Sequence, residues 1–190
     1  MNNNIKINIG SGTSRFEGFI NIDFDKSSNP DYILDLEKDY LPFDNNTVDE
    51  VIAHHILEHL GEGYFHCIKE LYRVCKNGAI INIEVPHHRS EIFFADSTHK
   101  RPITAFGLTL FSKKNNKYFK EQGFANSRLG EYLDVDFELV EHLNILNNDL
   151  KDFIKQFPEK DLEKYSEVYG NIIEIVKIKL RVIKANNTNI

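Results

Sequence analysis

The chain has 190 residues, 41% hydrophobic and 27% charged, with a formal net charge of -6 and a pI near 5.8. This length and composition suit one globular domain and exclude a fibrous repeat or a largely disordered chain. The acidic balance removes any general attraction to phosphate backbones or anionic membranes, so nucleic acid is disfavoured as a partner.

The sequence shows no targeting or disulfide pattern. Residues 1–4 lack a basic segment followed by an apolar run, and no stretch is long enough to cross a bilayer. The two cysteines, Cys67 and Cys75, fall in a segment with helical spacing, where buried thiols behave as small hydrophobes. We therefore expect a cytoplasmic protein without a membrane partner.

The first half of the chain predicts a series of strands. Residues 5–9 alternate apolar and polar side chains and stop at Gly10, the pattern of a strand that enters a tight loop. Further strands are predicted at residues 19–23, 32–35, 48–53 and 79–85. The last of these is mostly apolar and ends at Pro86, as expected of a buried parallel strand.

Helical spacing of apolar residues predicts a helix over residues 64–76, with Asn77-Gly78 as its C-terminal stop. The pattern is looser beyond Pro86. We expect a lid or substrate loop with some helix at residues 91–111, and two late strands at 137–146 and 172–183. Between the strands, residues 150–169 are charged and predicted to be partly helical, and residues 186–190 are expected to form a frayed tail.

Strands that alternate with helices predict an α/β fold with a mostly parallel sheet, whose ligands bind at the carboxyl ends of the strands. The late strand pair is expected to close the sheet as an antiparallel C-terminal edge. We expect one domain over residues 1–190, with a cofactor-binding half at 5–86 and a substrate loop and closing strands at 87–190.

A glycine loop and an acid form the main candidate site. Gly10-Ser11-Gly12 follows the first strand directly, and glycine lets a backbone approach a ligand closely. Asp23 stands at the tip of the second strand, where a carboxylate can accept both hydroxyl hydrogens of an adenosine ribose. Strand, loop, strand and acid together predict a nucleoside site.

Five ordered motifs carry a family resemblance: Ile7-Asn8-Ile9-Gly10-Ser11-Gly12, Asn21-Ile22-Asp23, Asp35-Leu36, Leu41-Pro42-Phe43 and His55-Ile56-Leu57-Glu58-His59. Together with Glu70-Leu71-Tyr72-Arg73-Val74 they resemble class I S-adenosylmethionine (SAM)-dependent methyltransferases over residues 5–86. The segment Asp96-Ser97-Thr98-His99-Lys100-Arg101 resembles one in many small members. The resemblance implies a Rossmann-like sheet, SAM as cofactor and S-adenosylhomocysteine as product.

The resemblance also implies roles for single residues. The backbone of Gly10, Ser11 and Gly12 would hold the amino-acid end of SAM, and Asp23 its ribose hydroxyls. Asp35 and Leu36 would flank the adenine. His54, just past the fourth strand, would line the path between the methyl group and the acceptor.

The chain departs from the family at its first helix. Only residues 13–18 separate the glycine loop from the second strand, where relatives place a full helix. A dinucleotide site uses the N-terminus of that helix to neutralise a pyrophosphate, so the truncation argues against NAD or FAD. An open cofactor site, or one closed by a second subunit in a homodimer, is the resulting hypothesis.

Histidines are the candidate catalytic groups. Methyl transfer from a sulfonium is an in-line displacement, and a hydroxyl acceptor must lose its proton, a task that suits a histidine. We predict His88 or His87 as the general base, since the loop after strand five commonly faces the acceptor. His99 is the second candidate, and Asp96 is a possible orienting carboxylate.

The predicted function is methyl transfer to a small-molecule acceptor, with a hydroxyl as the candidate acceptor group. The alternative is a non-catalytic module that binds SAM or S-adenosylhomocysteine. A third hypothesis is a histidine-rich metal site, because His55 and His59 are spaced for one helical face and His87-His88 could complete a first shell. The zincin order is not reproduced, and we assign no metal ligand.

Overall fold

The computed structural model describes residues 4–156, 158 and 161–184, and within these it forms one seven-stranded sheet. The strands are β1 Ile5–Ile9, β2 Ile20–Asp23, β3 Tyr32–Ile33, β4 Val48–His54, β5 Cys75–Pro86, β6 Phe137–Leu146 and β7 Ile173–Val182. The helices are α1 Tyr64–Val74, α2 Glu91–Ala95, α3 Ala105–Thr109, α4 Lys113–Glu121, α5 Leu129–Leu133, α6 Lys151–Ile154 and α7 Leu162–Val168.

The strand order is β3-β2-β1-β4-β5-β7-β6. Strands β1 to β5 pair in parallel, and β7 runs antiparallel to both of its neighbours. The predicted α/β fold with a mostly parallel sheet and an antiparallel closing pair is confirmed. The last strand lies between β5 and β6, so β6 forms the edge of the sheet. The predicted tail at residues 186–190 lies outside the described residues.

The junction between α1 and β5 differs from the prediction. The helix ends at Val74, and Cys75 already has extended torsions. Asn77-Gly78 therefore does not stop the helix but lies inside β5, where the pairing with β4 is irregular. Gly78 has a φ of +84°, which lets the extra residues bulge out of the sheet without strain.

One face of the sheet packs against α1. Apolar residues at helical spacing on α1 meet alternate residues of β4 and β5, so both elements bury the faces that their sequence periods predict. This core includes Cys67, Ile68, Leu71, Val74, Val51, Ala53, Ile81, Ile83 and Val85. Burial raises the pKa of Cys67 and of Cys75 to about 12, which keeps both thiols protonated and unreactive.

The opposite face of the central strands carries polar side chains. Lys6 pairs with Glu50 at 2.8 Å, and Asn82 donates to Glu50 at 3.0 Å. Glu84 pairs with Lys177 at 2.8 Å. Residues 13–18 contain no helix, as the truncation predicts, so β1 and β2 are joined across this side of the sheet by a short loop. In the methyltransferases that the sequence resembles, a helix covers this face of the sheet. In this chain the face instead carries ion pairs that remain partly exposed.

Hydrogen bonds between two of the sequence motifs fix the loop before β4 against helix α1. Arg73 donates to both oxygens of Glu70 at 2.7 Å, and to the carbonyls of Leu41 and Phe43 at 2.9 Å. Glu70 in turn accepts the Leu41 backbone N–H at 2.9 Å. The bidentate guanidinium ties helix α1 to the loop before β4, because a planar fork can serve a carboxylate and carbonyls at once.

No helix among the described residues is both long enough and apolar enough to cross a membrane.

Candidate active site

The glycine loop and the acid after β2 are in direct contact. Gly10 and Gly12 have φ values of +60° and +48°, in the left-handed region that glycine adopts without strain. The Gly12 backbone N–H donates to Asp23 Oδ2 at 2.7 Å. The Asp25 backbone N–H donates to Asp23 Oδ1 at 2.8 Å. The two features that predict a nucleoside site therefore meet at one candidate cleft at the ends of β1 and β2.

Buried asparagines support this cleft from below. Asn8 on β1 donates to Asn21 on β2 and to the Ser14 carbonyl of the loop, both at 3.1 Å. The Asn21 backbone N–H donates to Asp31 Oδ2 at 2.7 Å. Each amide fixes the loop that crosses above it, which explains why asparagines stand in otherwise apolar strands.

Arg15 ties together the two loops that flank the cleft. Its Nη2 donates to the carbonyls of Ser28 and Asn29 at 2.5 and 2.7 Å, and its Nη1 donates to Ser11 Oγ at 3.2 Å. Arg15 is not among the residues that the sequence motifs predict for the site. The only available signal was an arginine in a loop too short to form a helix.

The turn after β4 closes the cleft from the side. A Cβ atom added at Gly10 would overlap the Ile56 side chain, so only glycine fits there. His54, the last residue of β4, is half-buried and lies edge-to-face against Phe16, with 5.7 Å between ring centres. Burial lowers the pKa of His54, which keeps its ring neutral at pH 7.

The structure places the two predicted adenine residues in a turn after β3. Asp35 accepts hydrogen bonds from its own turn, the Glu37 N–H at 3.0 Å and Lys38 Nζ at 2.6 Å. The Lys38 ammonium lowers the pKa of Asp35. Leu36 is buried in the main core. The Asp35 N–H donates to Asp39 Oδ2 at 2.8 Å, so the turn is held by its own hydrogen bonds, and only the Asp35 side chain of the two predicted residues is partly exposed.

A buried glutamate lies beside the cleft. Glu58 is fully buried, and neither carboxylate oxygen has a hydrogen-bond partner of good geometry among the described residues. His55 Nδ1 lies 3.5 Å from Glu58 Oε1, and His55 Nε2 lies 3.5 Å from Glu84 Oε1. The Glu58 carboxylate raises the pKa of His55 against the opposing effect of burial. The carboxylate of Glu58 thus favours the protonated form of His55.

His87 and His88 form one histidine pair after β5. Their ring centres are 4.2 Å apart. Burial, followed by the charges of His88, Arg89 and His142, lowers the pKa of His87 to about 4. Partial desolvation and Arg89 also lower the pKa of His88, although much of its side chain is exposed. Both rings are neutral at pH 7, and His87 is the weaker base.

His99 and Asp96 belong to a second, separate cluster. The ring of His99 lies against that of His59, with centres 4.6 Å apart, and His99 Nδ1 bonds the Phe93 carbonyl at 2.7 Å. Asp96 accepts the backbone N–H and the hydroxyl of Thr98 at 2.8 and 2.6 Å. Within the described parts of the chain, no contact joins this cluster to His87 or His88.

The metal set suggested by the sequence is not assembled. Residues Leu57–His59 form a 3-10 turn, and His55 has a left-handed φ of +52°, so His55 and His59 do not share the face of an α-helix. The four histidines of that hypothesis do not converge on one point among the described residues.

Part of the chain matches a known protein family. Residues 18–83, about a third of the chain, match the family described as "Methyltransferase domain". No curated protein sequence matches the chain significantly.

Solved structures match over nearly the whole chain. A SAM-dependent methyltransferase from Archaeoglobus fulgidus has a TM-score of 0.59 and 21% identity, with 94% of this chain and 86% of that chain covered. The [4+2]-cyclase SpnF has a TM-score of 0.56 and 15% identity, with 96% and 76% covered. A SAM-dependent methyltransferase from Mesorhizobium loti has a TM-score of 0.52 and 13% identity, with 94% and 91% covered.

The fold and the matched segment confirm the resemblance to class I methyltransferases that the sequence motifs predict. At these identities the structural likeness establishes the fold and not the reaction, as the presence of a cyclase among the matches illustrates.

The close approach at Gly10 generates a prediction with a matched control. Gly12→Ala meets no atom within 4 Å and should cost only the left-handed backbone penalty, about 1 to 2 kcal/mol. Gly10→Ala adds an overlap with Ile56 and should cost about 1 to 3 kcal/mol more, as overpacking does. Urea unfolding of the two variants measures the difference.

An additional Ile56→Ala substitution should recover part of the Gly10→Ala loss. Equal costs for the two glycine variants, or no recovery, would show that Gly10 does not pack against the turn after β4.

Proposed function

We propose that this chain is a SAM-dependent methyltransferase that binds SAM in the cleft between the glycine loop and Asp23. The observation that carries the proposal is the 2.7 Å hydrogen bond from the Gly12 N–H to the Asp23 carboxylate. It holds a loop with two left-handed glycines and a carboxylate at fixed separation, so one nucleoside can contact both.

The free acceptor sites on Asp23 support a role in ribose binding. An ionised carboxylate has about four lone-pair sites, and backbone N–H groups use one on each oxygen of Asp23. One site per oxygen remains for the two ribose hydroxyls. Gly10 and Ser11 would contact the amino-acid end of the cofactor, the turn at Asp35 and Leu36 its adenine.

We propose a small molecule with a hydroxyl group as the acceptor and His88 as the general base. When bound, SAM supplies an electrophilic methyl group. His88 is exposed and neutral, whereas the pKa of His87 near 4 makes that ring a weaker base. His99 is the second candidate base. Asp96 contacts the Thr98 hydroxyl, which bonds His59, so Asp96 would act on His99 only through the neighbouring His59 ring.

The Asp23 assignment predicts a specific loss of cofactor binding. Asp23→Asn keeps the shape of the side chain but removes one acceptor oxygen and the charge, and should weaken S-adenosylhomocysteine binding by about 1.5 to 3 kcal/mol. Isothermal titration calorimetry measures the change. Asp44→Asn, at an exposed position in the loop before β4, is the matched control and should bind nearly as the wild type. Equal losses in both variants would indicate a general loosening of the loops.

The His88 assignment predicts the effects of substitution and of pH on turnover. His88→Asn should lower kcat by about 100- to 10,000-fold while cofactor affinity is retained. Because the pKa of His88 lies below its ordinary value of 6.5, the ring stays unprotonated and kcat should hold until the pH falls below that value. Formation of S-adenosylhomocysteine with hydroxyl acceptors is the readout. A His88→Asn variant with undiminished kcat would refute the assignment.

A non-catalytic module that binds SAM or S-adenosylhomocysteine is the second candidate. The cleft would serve either function, and the missing helical layer leaves few elements to enclose an acceptor. Binding without turnover over a broad panel of acceptors would favour the module. Turnover with any acceptor would favour the enzyme.

We further propose that two copies of the chain associate through the polar face of the sheet. The association would restrict the access of solvent to that face. A cleft of about 280 Å³ on this face is lined by His54, Asn82, Glu84 and Lys177, among others. The mass of one chain is 22.1 kDa, and light scattering coupled to gel filtration should give twice that mass. A monomer at all concentrations would remove this proposal and leave the cofactor site unaffected.

A further inference from the structure

Three potential metal ligands converge beside the turn that follows β4. One ligand atom each from Glu58, His59 and His99 lies within 4.8 Å of the other two. Tetrahedral ligands about 2.1 Å from a metal lie about 3.4 Å from one another, so each of the three atoms would have to move by somewhat less than about 1 Å to reach one ion. The two rings already face each other, with 4.6 Å between centres.

The buried carboxylate gives an independent indication of a ligand. Glu58 is fully buried, yet neither oxygen accepts a hydrogen bond within the described chain. A buried carboxylate without partners costs several kcal/mol, so native structures pair such groups or use them to coordinate metals. His55 Nδ1, 3.5 Å from Oε1, can form an ion pair with Glu58 when its ring is protonated, but Oε2 has no such partner among the described residues.

Hydrogen bonds fix which nitrogen of each ring can coordinate. A carbonyl only accepts, so His99 Nδ1 must donate to Phe93 O, and its lone pair lies on Nε2. The Thr98 hydroxyl donates to Asp96 at 2.6 Å, so it accepts from His59 Nδ1 at 2.9 Å. His59 therefore also carries its lone pair on Nε2. Metal-bound histidines show this pattern of one donated N–H and one free nitrogen.

We propose that Glu58, His59 and His99 bind one divalent transition-metal ion. Two imidazoles and one carboxylate suit zinc or ferrous iron and leave coordination positions for water or another ligand. Magnesium prefers oxygen ligands and is excluded by this donor set.

The metal would fasten one loop to the cofactor side of the molecule. His99 comes from the segment 96–101, whose Lys100 N–H donates to the Glu58 carbonyl at 2.7 Å. Arg101 continues the contact by donating to the Leu60 and Gly61 carbonyls. This segment thus already lies on the turn that supplies the other two ligands. The ion would add a third attachment beside Ile56, which packs against the glycine loop.

Metal titration of the whole chain tests the proposal. Chelator-treated, desalted protein is titrated with Zn²⁺ by calorimetry, and with Co²⁺ by visible absorption, which reports coordination geometry. The expected result is one Zn²⁺ per chain, Co²⁺ bands typical of mixed nitrogen and oxygen ligands, and no comparable binding of Mg²⁺. Circular dichroism and thermal unfolding confirm that each variant is folded.

Variants at partly exposed positions separate the ligands from their surroundings. His59→Gln and His99→Gln should each abolish stoichiometric Zn²⁺ binding. Thr98→Val removes only the partner of His59 and should weaken binding about 10- to 100-fold. His142→Asn, on the edge strand β6, is the control and should bind as the wild type.

Failure of the folded wild type to bind Zn²⁺, or wild-type affinity in both ligand variants, would overturn the proposal. Because the titration contains no SAM, this result is independent of the cofactor site, and the Asp23→Asn experiment is independent of the metal.

Discussion

The carboxylate of Asp23 organises the carboxyl end of the sheet. By accepting N–H groups from Gly12 and Asp25, it fixes the loop after β1 and the loop after β2 against each other. Charge-assisted hydrogen bonds of this kind are stronger than neutral ones, and here they are largely buried. The fold itself therefore holds these two loops in place, and a nucleoside bound between them, as proposed, would not have to order them.

This constraint matters more here than in a chain with a full first helix. Crossovers between parallel strands usually need a dozen or more residues, yet only residues 10–19 join β1 to β2. The short loop cannot pack an apolar helix onto the sheet. It is held by polar contacts instead, from Asn8 below and Arg15 above. Because no helix covers this face of the sheet, ion pairs such as Lys6 with Glu50 lie on it.

Local periodicity predicted most of the fold, and the exceptions have physical causes. Strands β1 and β6 lie at the predicted residues because alternation and turn residues mark them unambiguously. The stop assigned to Asn77-Gly78 was wrong because a glycine with positive φ serves a strand bulge as well as a helix end. The position of β7 inside the sheet depends on long-range pairing, which no local pattern encodes.

The part of the candidate site formed by loops that follow adjacent strands could be predicted from the sequence. The part formed by segments that meet only through the folding of distant regions could not. Gly12 and Asp23 follow adjacent parallel strands, so their proximity could be inferred, although the cofactor roles assigned to them stay predictions. The convergence of Glu58 with His99 joins segments forty residues apart, and the sequence suggested a different set of histidines.

A crystal structure of the protein soaked with S-adenosylhomocysteine tests the central claim most directly. The account predicts the nucleoside in the cleft between the glycine loop and β2, with both ribose hydroxyls within about 2.5 to 3.0 Å of the Asp23 carboxylate. A nucleoside bound elsewhere on the sheet, with Asp23 contacting only its two backbone N–H groups, would contradict it.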